Sequence, residues 1–156
     1  MRLDTGPRSE LERLYRSQRD RMWQAVFGFA GDREIASDAV AEAFAQALRR
    51  GDAIRFLDRW LWRTVFRIAA GELKERGSRG PDPTQGSYEM NDLAWDLVAA
   101  LRLLPEKQRT AVLLHHMVGY PAKEVAAIIG ATTPAVHVLL SRGRKRLRQV
   151  LETDDA

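Results

Sequence analysis

Residues 120–151, YPAKEVAAIIGATTPAVHVLLSRGRKRLRQVL, contain two helical patterns separated by Gly130. In the first pattern Val125, Ile128 and Ile129 recur at the spacing of one helix face. A glycine between two helices supplies the left-handed residue that a tight helix–helix turn requires. The stretch therefore predicts a helix-turn-helix.

The second helix of this pair is uncharged in its first half and basic in its second. Thr133 is predicted to cap it, and Pro134 suits its first turn. Residues 132–141 carry no formal charge, whereas residues 142–148 contain five cations. Base edges carry sequence information and phosphates supply affinity, so this split favours a recognition helix in a DNA major groove over a merely solvated basic face. The residues predicted to contact duplex DNA are Thr133, His137, Val138, Ser141, Arg142, Arg144 and Lys145.

Helical periodicity continues through the rest of the chain, without sustained period-two alternation or a hairpin turn signal. Residues 77–87, GSRGPDPTQGS, combine three Gly and two Pro with almost no apolar side chain, which is typical of a flexible linker. We therefore predict an all-α protein of two small helical domains. The first spans residues 1–76, the linker 77–90, and the helix-turn-helix domain 91–156.

A helix predicted from about Arg55 to Arg76 carries arginines every four residues, with aromatic residues among them. Cations that follow a nucleic-acid backbone, interleaved with rings on which bases stack, are what a single strand requires. The alternative is that the rings belong to the core and the arginines are solvated. The residues predicted for single-strand contact are Arg59, Trp60, Trp62, Arg63, Phe66 and Arg67.

The helix before it is rich in alanine, and Asp32 is predicted to cap it. Asp38, Glu42 and Gln46 fall on one outer line, because residues four apart share a helix face. Small side chains let another helix approach closely, and spaced carboxylates suit a basic partner. The alternative is a solvated face.

Several function classes are excluded or not expected. The chain has no Cys, which excludes disulfides, thiolate catalysis and Cys-based zinc sites. No signal peptide or unbroken apolar span is found, so we expect a cytoplasmic protein without membrane insertion. The adjacent His115 and His116 would point about 100° apart on a helix and are not expected to share a metal ion. We predict no catalytic residue, no cofactor and no metal site.

Three stretches, in this order, resemble bacterial RNA polymerase sigma factors, most closely the compact extracytoplasmic-function type of the sigma-70 superfamily. SDAVAEAFAQAL, residues 37–48, is similar to the family helix that binds the clamp helices of the largest polymerase subunit. WLWRTVFRIA, residues 60–69, is similar to the segment that opens and binds the minus-ten promoter element. LPEKQRTAVLLHHMVGYPAKEVAAIIGATTPAVHVLLSRGRKRLRQVL, residues 104–151, is similar to the domain that binds the minus-thirty-five element.

The resemblance implies a non-enzymatic protein that binds core RNA polymerase and promoter DNA and directs initiation of transcription. It puts Asp38, Glu42 and Phe44 at polymerase-binding positions, and Gln46 continues their line. It further implies an anti-sigma factor as a partner, and a linker that runs through the polymerase near the RNA path.

Some positions depart from the family pattern. Arg67 stands where many relatives have Asn, and His137, Val138 and Leu139 stand where relatives commonly have basic or small polar residues. These differences bear on promoter sequence, because fewer side chains can make bidentate contacts to bases. Two alternatives remain at this point. One is a helix-turn-helix regulator that binds duplex DNA without docking to polymerase, and the other is a degenerate sigma-like protein that acts through protein interaction.

Overall fold

The computed structural model describes residues 6–76 and 92–154, and these residues form helices and turns without a β-strand. The predicted linker 77–90 therefore lies outside the described residues. The prediction of an all-α fold is confirmed. The helices are α1 Pro7–Ala30, α2 Arg33–Arg50, α3 Leu57–Arg76, α4 Asp92–Arg102, α5 Glu106–Val112, α6 Ala122–Ile129 and α7 Thr133–Asp154, with a short 3-10 turn at Gly51–Ala53 and a π-helical turn at Leu113–Val118.

The helix ends follow local side-chain chemistry. Asp32 caps α2 as predicted, because its Oδ1 accepts a hydrogen bond of 3.1 Å from the backbone N–H of Ile35. At α7 the cap is one residue earlier than predicted. Thr132 Oγ1 accepts from the N–H of Ala135 at 3.2 Å, and Thr133 is the first helical residue. An N-cap side chain bonds the third residue beyond it, and Thr132 has that spacing.

Helices α1, α2 and α3 form the first helical unit. Their shared interior contains the fully buried Met22, Phe29, Ile35 and Trp62. The buried face of α2 is lined mainly by alanines, which let α1 and α3 approach it closely. This packing leaves the opposite side of α2, and the N-terminal end of α3, at the surface.

Helices α4 to α7 form the second unit, in which α6, Gly130 and α7 make the predicted helix-turn-helix. Gly130 has φ of 75°, the left-handed conformation expected of the turn. The inner stripe of α7 packs against α5 and α6 through Val136, Leu140 and Gly143, all of which are buried. A Cβ on Gly143 would lie only 2.7 Å from Val112 Cγ2, so the glycine permits the close approach of α7 to α5.

The two units pack against each other. Helix α1 contacts α4 and the π-helical turn, α3 contacts α6, and the buried side chains of both units form one continuous cluster. Gly28 lies at this seam, where a Cβ would be 3.0 Å from Leu113 Cδ2. Among the described residues no single helix is long and apolar enough to cross a membrane. Only α6 and α7 taken together pass that test, and they meet at a bend of 102°.

Candidate nucleic-acid interface

The outer face of α7 carries the residues predicted to contact duplex DNA. His137, Val138 and Ser141 are exposed, with Val138 at 47%, while Thr133 is partly buried. This end of the helix presents a small, uncharged surface. The buried stripe of α7 lies on the opposite side, so the helix is divided into a buried inner face and an outer face that carries the predicted residues.

The second half of α7 carries a cluster of exposed cations. Arg142, Arg144 and Lys145 are exposed, as are Arg146 and Arg148 farther along. In the part of the chain that the structure describes, none of these side chains pairs with a carboxylate. Arg144 does lie 3.4 Å from Nε2 of His116. Partial burial, followed by the nearby His115 and Arg144, lowers the pKa of His116, which favours its neutral form beside the cations.

The arginines of α3 are placed differently, because two of them face the second unit. Arg59 makes a bidentate ion pair with Glu124 of α6, at 3.1 Å from Nε to Oε2 and 2.9 Å from NH2 to Oε1. Hydrogen bonding to Arg59 lowers the pKa of Glu124, and the same bonds raise the pKa of Arg59. Arg63 donates to the carbonyl oxygens of Ile128 at 2.7 Å and Ala127 at 2.9 Å.

The aromatic residues predicted for base stacking do not share one environment. Trp62 is fully buried and Phe66 nearly so, and they stack on each other with ring centroids 6.2 Å apart. Neither offers a ring face to a base in this arrangement, so the accessibility predicted for these two rings is corrected. Both rings belong to the core of the first unit, where Phe66 also meets Phe29 of α1 edge-on, and Trp62 additionally meets Tyr120 of the second unit edge-on. Trp60 is only partly buried, and Arg67 is exposed.

A cluster of rings and cations that the spacing did not predict lies at the start of α3. Phe56 is 57% exposed, and the guanidinium groups of Arg55 and Arg59 lie 5.4 Å and 5.1 Å from its ring centre. Arg50 similarly lies 5.5 Å from the ring of Trp60. Exposed rings beside cations are suited to base stacking. The sequence signal was Phe56 beside Arg55 at the start of the predicted helix, but only Trp60, Trp62 and Phe66 were predicted as stacking rings.

Asp38, Glu42 and Gln46 lie along one outer face of α2, as the spacing predicted. Glu42 accepts hydrogen bonds from Gln46 and Arg49, both at 3.1 Å, and these bonds lower the pKa of its carboxyl group. Asp38 is exposed, 3.4 Å from the guanidinium of Arg76. Phe44 is turned away from this line and buried, with its ring edge-on to Tyr15 at 5.1 Å. The three polar residues thus share an open face, while Phe44 supports it from within.

No group of three or more metal-ligating side chains occurs among the described residues. His115 instead donates from Nδ1 to the carbonyl oxygen of Tyr120 at 2.8 Å, which ties the π-helical turn to the start of α6. This hydrogen bond gives His115 a structural partner.

A groove of about 800 Å³ runs along the seam between the two units. Its walls are mostly apolar and come from α1, α4 and the π-helical turn, with Trp23, Phe27, Leu97 and Leu113 among them. Arg144 and Arg148 of α7 also line it. The groove therefore combines an apolar floor with a basic edge that belongs to the predicted DNA face.

Comparisons with known proteins agree with this geometry. A family model described as Sigma-70, region 4 matches residues 94–147, which include the helix-turn-helix. The RNA polymerase sigma-E factor of Streptomyces antibioticus is 30% identical over 156 residues, covering 94% of this chain and 87% of that protein. The ECF RNA polymerase sigma factor SigE of Mycolicibacterium smegmatis is 27% identical over 90% of this chain, and the chain spans 61% of its length.

Two solved structures share the fold. The sigma factor RpoE of Bartonella quintana, in complex with the anti-sigma factor NepR, has a TM-score of 0.75 at 22% identity, with 93% of this chain and 98% of that chain covered. CnrH, in complex with the cytosolic domain of CnrY, has a TM-score of 0.73 at 24% identity, with 96% and 92% covered. The arrangement of both helical units is therefore found in other proteins.

Proposed function

This chain belongs to the sigma-70 superfamily, in its extracytoplasmic-function type, and on that premise we propose that it binds core RNA polymerase and directs initiation at promoters with two recognised elements. The observation that carries the proposal is the outer face of α7. An uncharged N-terminal end is followed there by exposed cations that pair with no carboxylate among the described residues. That order suits base contacts at one end and phosphate contacts at the other.

In the upstream element, Thr133, His137, Val138 and Ser141 would face the bases, and Arg142, Arg144 and Lys145 would bind phosphates. Val138 offers an apolar contact, which suits a thymine methyl group better than a guanine edge. We therefore expect part of the upstream sequence preference to come from thymine methyl groups and DNA shape. The phosphate contacts would supply most of the affinity.

In the minus-ten element, α3 would bind the displaced strand through Arg59, Arg63 and Arg67, with Trp60 as a stacking ring. The exposure of Phe56 and its two flanking arginines supports adding it to this set. Trp62 and Phe66 would act indirectly, by fixing α3 on α1 and α2. Base stacking on an exposed ring typically contributes about 1–3 kcal/mol per base.

Polymerase binding is assigned to the open line of Asp38, Glu42 and Gln46 on α2. Their exposed carboxylates would meet basic residues on the clamp helices of the largest subunit, with Phe44 maintaining the shape of the face from inside. The hydrogen bonds that hold Glu42 reduce the entropy that this side chain would lose on binding.

The seam groove supports an anti-sigma factor as a further partner. Its apolar walls and basic edge fit an amphipathic helix with acidic flanks. Such a helix would occupy Arg144 and Arg148, and would thus compete with promoter phosphates for the same cations. Of the two structural relatives that share this fold, RpoE was solved in complex with the anti-sigma factor NepR, and CnrH was solved in complex with the cytosolic domain of CnrY.

The test of the proposed function is co-elution with bacterial core RNA polymerase from a sizing column at moderate salt, followed by transcription from a mapped promoter. Glu42→Lys is expected to lose co-elution while its circular dichroism spectrum stays unchanged. Asp20→Lys is the matched control, since Asp20 is an exposed acid on α1 and not on the α2 line.

Two outcomes would contradict the proposal. If the folded chain fails to co-elute but binds duplex DNA, the regulator that acts without polymerase is correct. If it binds neither polymerase nor DNA, the sigma-like interaction protein is correct. Equal co-elution of Glu42→Lys and Asp20→Lys would remove α2 from the polymerase interface.

A further inference from the structure

We propose that the seam groove binds a small molecule, a free fatty acid of medium chain length, and that its carboxylate weakens duplex binding by α7. The acyl chain lies along the apolar walls, and the carboxylate binds Arg144 and Arg148, which line the groove. The site itself depends only on the described residues, whereas its effect on DNA rests on the proposed function of α7. The chain then responds directly to a small molecule, without a protein partner.

The groove has the size and lining of a small-molecule site. Its volume of about 800 Å³ falls within the range of about 300–1,000 Å³ that ligand pockets occupy, and its walls are mostly apolar. One wall is a face of α4 that contributes Ala94, Leu97, Val98 and Leu101. These residues extend over about two helical turns, or about 10 Å of helix rise. A linear aliphatic chain can lie along such a strip.

The other walls come from α1 and the π-helical turn. Trp23 and Phe27 of α1 stack with their ring centroids 5.4 Å apart and 9° between their planes. Met117 of the π-helical turn is 47% exposed, and Leu97 of α4 is 44% exposed. Large apolar side chains on two walls of one groove thus remain in contact with water. Covering them with a hydrocarbon chain is favourable, because it removes apolar surface from water.

The charge of the lining favours an anion over other amphipathic ligands. Its ionisable residues are Arg33, His116, Arg144 and Arg148, and the described lining contains no Asp or Glu. Arg144 and Arg148 are exposed and one helical turn apart, so they share a face of α7. A carboxylate offers two charged acceptor oxygens to these guanidinium groups. An aliphatic alcohol offers only a neutral hydroxyl, and an aliphatic cation would be repelled.

The histidine of the lining adds no positive charge of its own. Partial burial, followed by the nearby His115 and Arg144, lowers the pKa of His116 and favours its neutral form at neutral pH. The arginines therefore carry the positive charge of the groove. The amphipathic helix of an anti-sigma factor would use the same apolar walls and the same arginines, so the fatty acid and such a helix exclude each other.

Arg144 connects the groove with the DNA face. Its guanidinium lies 3.4 Å from Nε2 of His116 in the groove lining, and the same side chain belongs to the outer cations of α7. A bound carboxylate withdraws this arginine from DNA phosphate. Each phosphate contact that is lost removes about 0.9 from the slope of log affinity against log salt. Duplex affinity should therefore fall when the groove is filled.

The site is tested with decanoate by isothermal titration calorimetry, using the full chain without polymerase or DNA. In the series hexanoate, octanoate and decanoate, affinity should rise about two- to fourfold for each added methylene, because each is removed from water. Decan-1-ol and decyltrimethylammonium carry the same chain with a neutral and a cationic head group. Both should bind about tenfold or more weakly than decanoate, because they lack the charged hydrogen bonds to arginine. All ligands are kept below the concentrations at which they aggregate.

The basic edge is tested by removing charge from α7. Arg144→Gln with Arg148→Gln should reduce decanoate affinity about tenfold or more. Arg142→Gln with Arg146→Gln is the matched control, since these exposed arginines lie on the same helix and are not part of the groove lining. The control pair should change decanoate affinity by less than about twofold, the size of a screened surface effect.

The apolar wall is tested by removing one exposed leucine from it. Leu97→Gln should reduce decanoate affinity about five- to tenfold, because the acyl chain loses apolar contact area. Leu103→Gln is the matched control, since Leu103 is 57% exposed and is not part of the groove lining. Circular dichroism spectra show whether each variant retains its helices.

The effect on DNA is measured by fluorescence anisotropy with a short labelled duplex, with and without saturating decanoate. Duplex affinity should fall about five- to tenfold at about 0.1 M salt, the loss expected for one phosphate contact. Decan-1-ol should have no such effect. In Arg144→Gln with Arg148→Gln, duplex affinity is already reduced and should not respond further to decanoate.

Three outcomes would contradict the proposal. Equal affinity of the unchanged chain for decanoate and decyltrimethylammonium would overturn the carboxylate site, as would equal decanoate affinity in the two arginine double variants. If a synthetic amphipathic helix of Leu, Ala and Glu binds but decanoate does not, the groove is a protein site and the fatty-acid site is wrong. If decanoate binds through Arg144 and Arg148 while duplex affinity stays unchanged, the regulation of DNA binding is wrong.

Failure of the site and failure of the proposed function are distinguishable. Decanoate binding is measured without polymerase, so head-group selectivity together with loss in Arg144→Gln with Arg148→Gln supports the site even if core polymerase never co-elutes. A chain that co-elutes with core polymerase but does not bind decanoate retains the sigma function and loses the fatty-acid site.

Discussion

Helices α3 and α7 are both amphipathic, and both carry arginines on the side away from their own core. They differ in what stands opposite that side. The cations of α7 face outward, while Arg59 and Arg63 of α3 meet a carboxylate and the carbonyls of another helix. Two similar sequence patterns therefore give one basic face that points to solvent and one in which two arginines, although still accessible to water, are bound by a neighbouring helix. The comparison teaches that a helix pattern determines which residues face outward but not which neighbour they meet.

The largest effect on duplex affinity is expected from removing cations on the outer face of α7. In the triple variant Arg142→Ala, Arg144→Ala and Lys145→Ala, duplex affinity should fall roughly five-hundredfold at about 0.1 M salt, because each lost phosphate contact removes about 0.9 from the slope of log affinity against log salt. The slope itself should fall by about 2.7. Binding titrations by fluorescence anisotropy over a salt series measure both quantities.

The matched control changes cations of α3. Arg63→Ala with Arg67→Ala should leave duplex affinity and its salt slope nearly unchanged, because Arg63 donates to carbonyl oxygens of α6 and both residues lie on α3, not on the outer face of α7. An equal loss of duplex affinity in the two sets of variants would mean that both helices contact the duplex, and the contrast between them would disappear.

A second contrast concerns glycines within the same two helices. Gly143 of α7 has no room for a Cβ, which would lie 2.7 Å from Val112 Cγ2, whereas nothing lies within 4 Å of a Cβ on Gly71 of α3. Gly143→Ala should lower the free energy of unfolding by about 1–3 kcal/mol through overpacking. Gly71→Ala should raise it by about 0.5–1 kcal/mol, because alanine is the better helix former.

Urea titrations of both variants measure this difference. If Gly143→Ala instead stabilises the protein, α5 and α7 can move apart at little cost in free energy. The packing of α7 against its own unit would then be less rigid than the close contact at Gly143 indicates. Destabilisation by Gly71→Ala would show that the surface of α3 near Gly71 is covered.

Much of the fold could be predicted from the sequence, because helix ends and helix faces depend on nearby residues. The Asp32 cap and the Gly130 turn both follow from local spacing. Trp62 and Phe66 were misjudged for a physical reason. Periodicity assigns each residue an angle around its helix, and Trp62 falls near the edge of the inward stripe, where the helices packed around it decide its burial.

The pairing at Arg59 could not be predicted for a related reason. Its partner Glu124 lies 65 residues farther along the chain, beyond a stretch typical of a linker. A tether of that kind places no constraint on how two units pack. Which cation meets which acid depends on how the two units pack, and the periodicity of a single helix does not determine that.

The smallest expected effect tests how α7 begins. Thr132→Ala should reduce the free energy of unfolding by about 1 kcal/mol, because the N–H of Ala135 loses the hydroxyl that accepts its hydrogen bond. Thr133→Ala, at the neighbouring residue that the sequence favoured as the cap, should cost less than about 0.5 kcal/mol. Thermal unfolding of both variants measures the difference. A larger loss of stability in Thr133→Ala than in Thr132→Ala would place the cap at Thr133. The first residues of α7 would then be turned relative to the DNA major groove, which would change the bases that His137 and Val138 can reach.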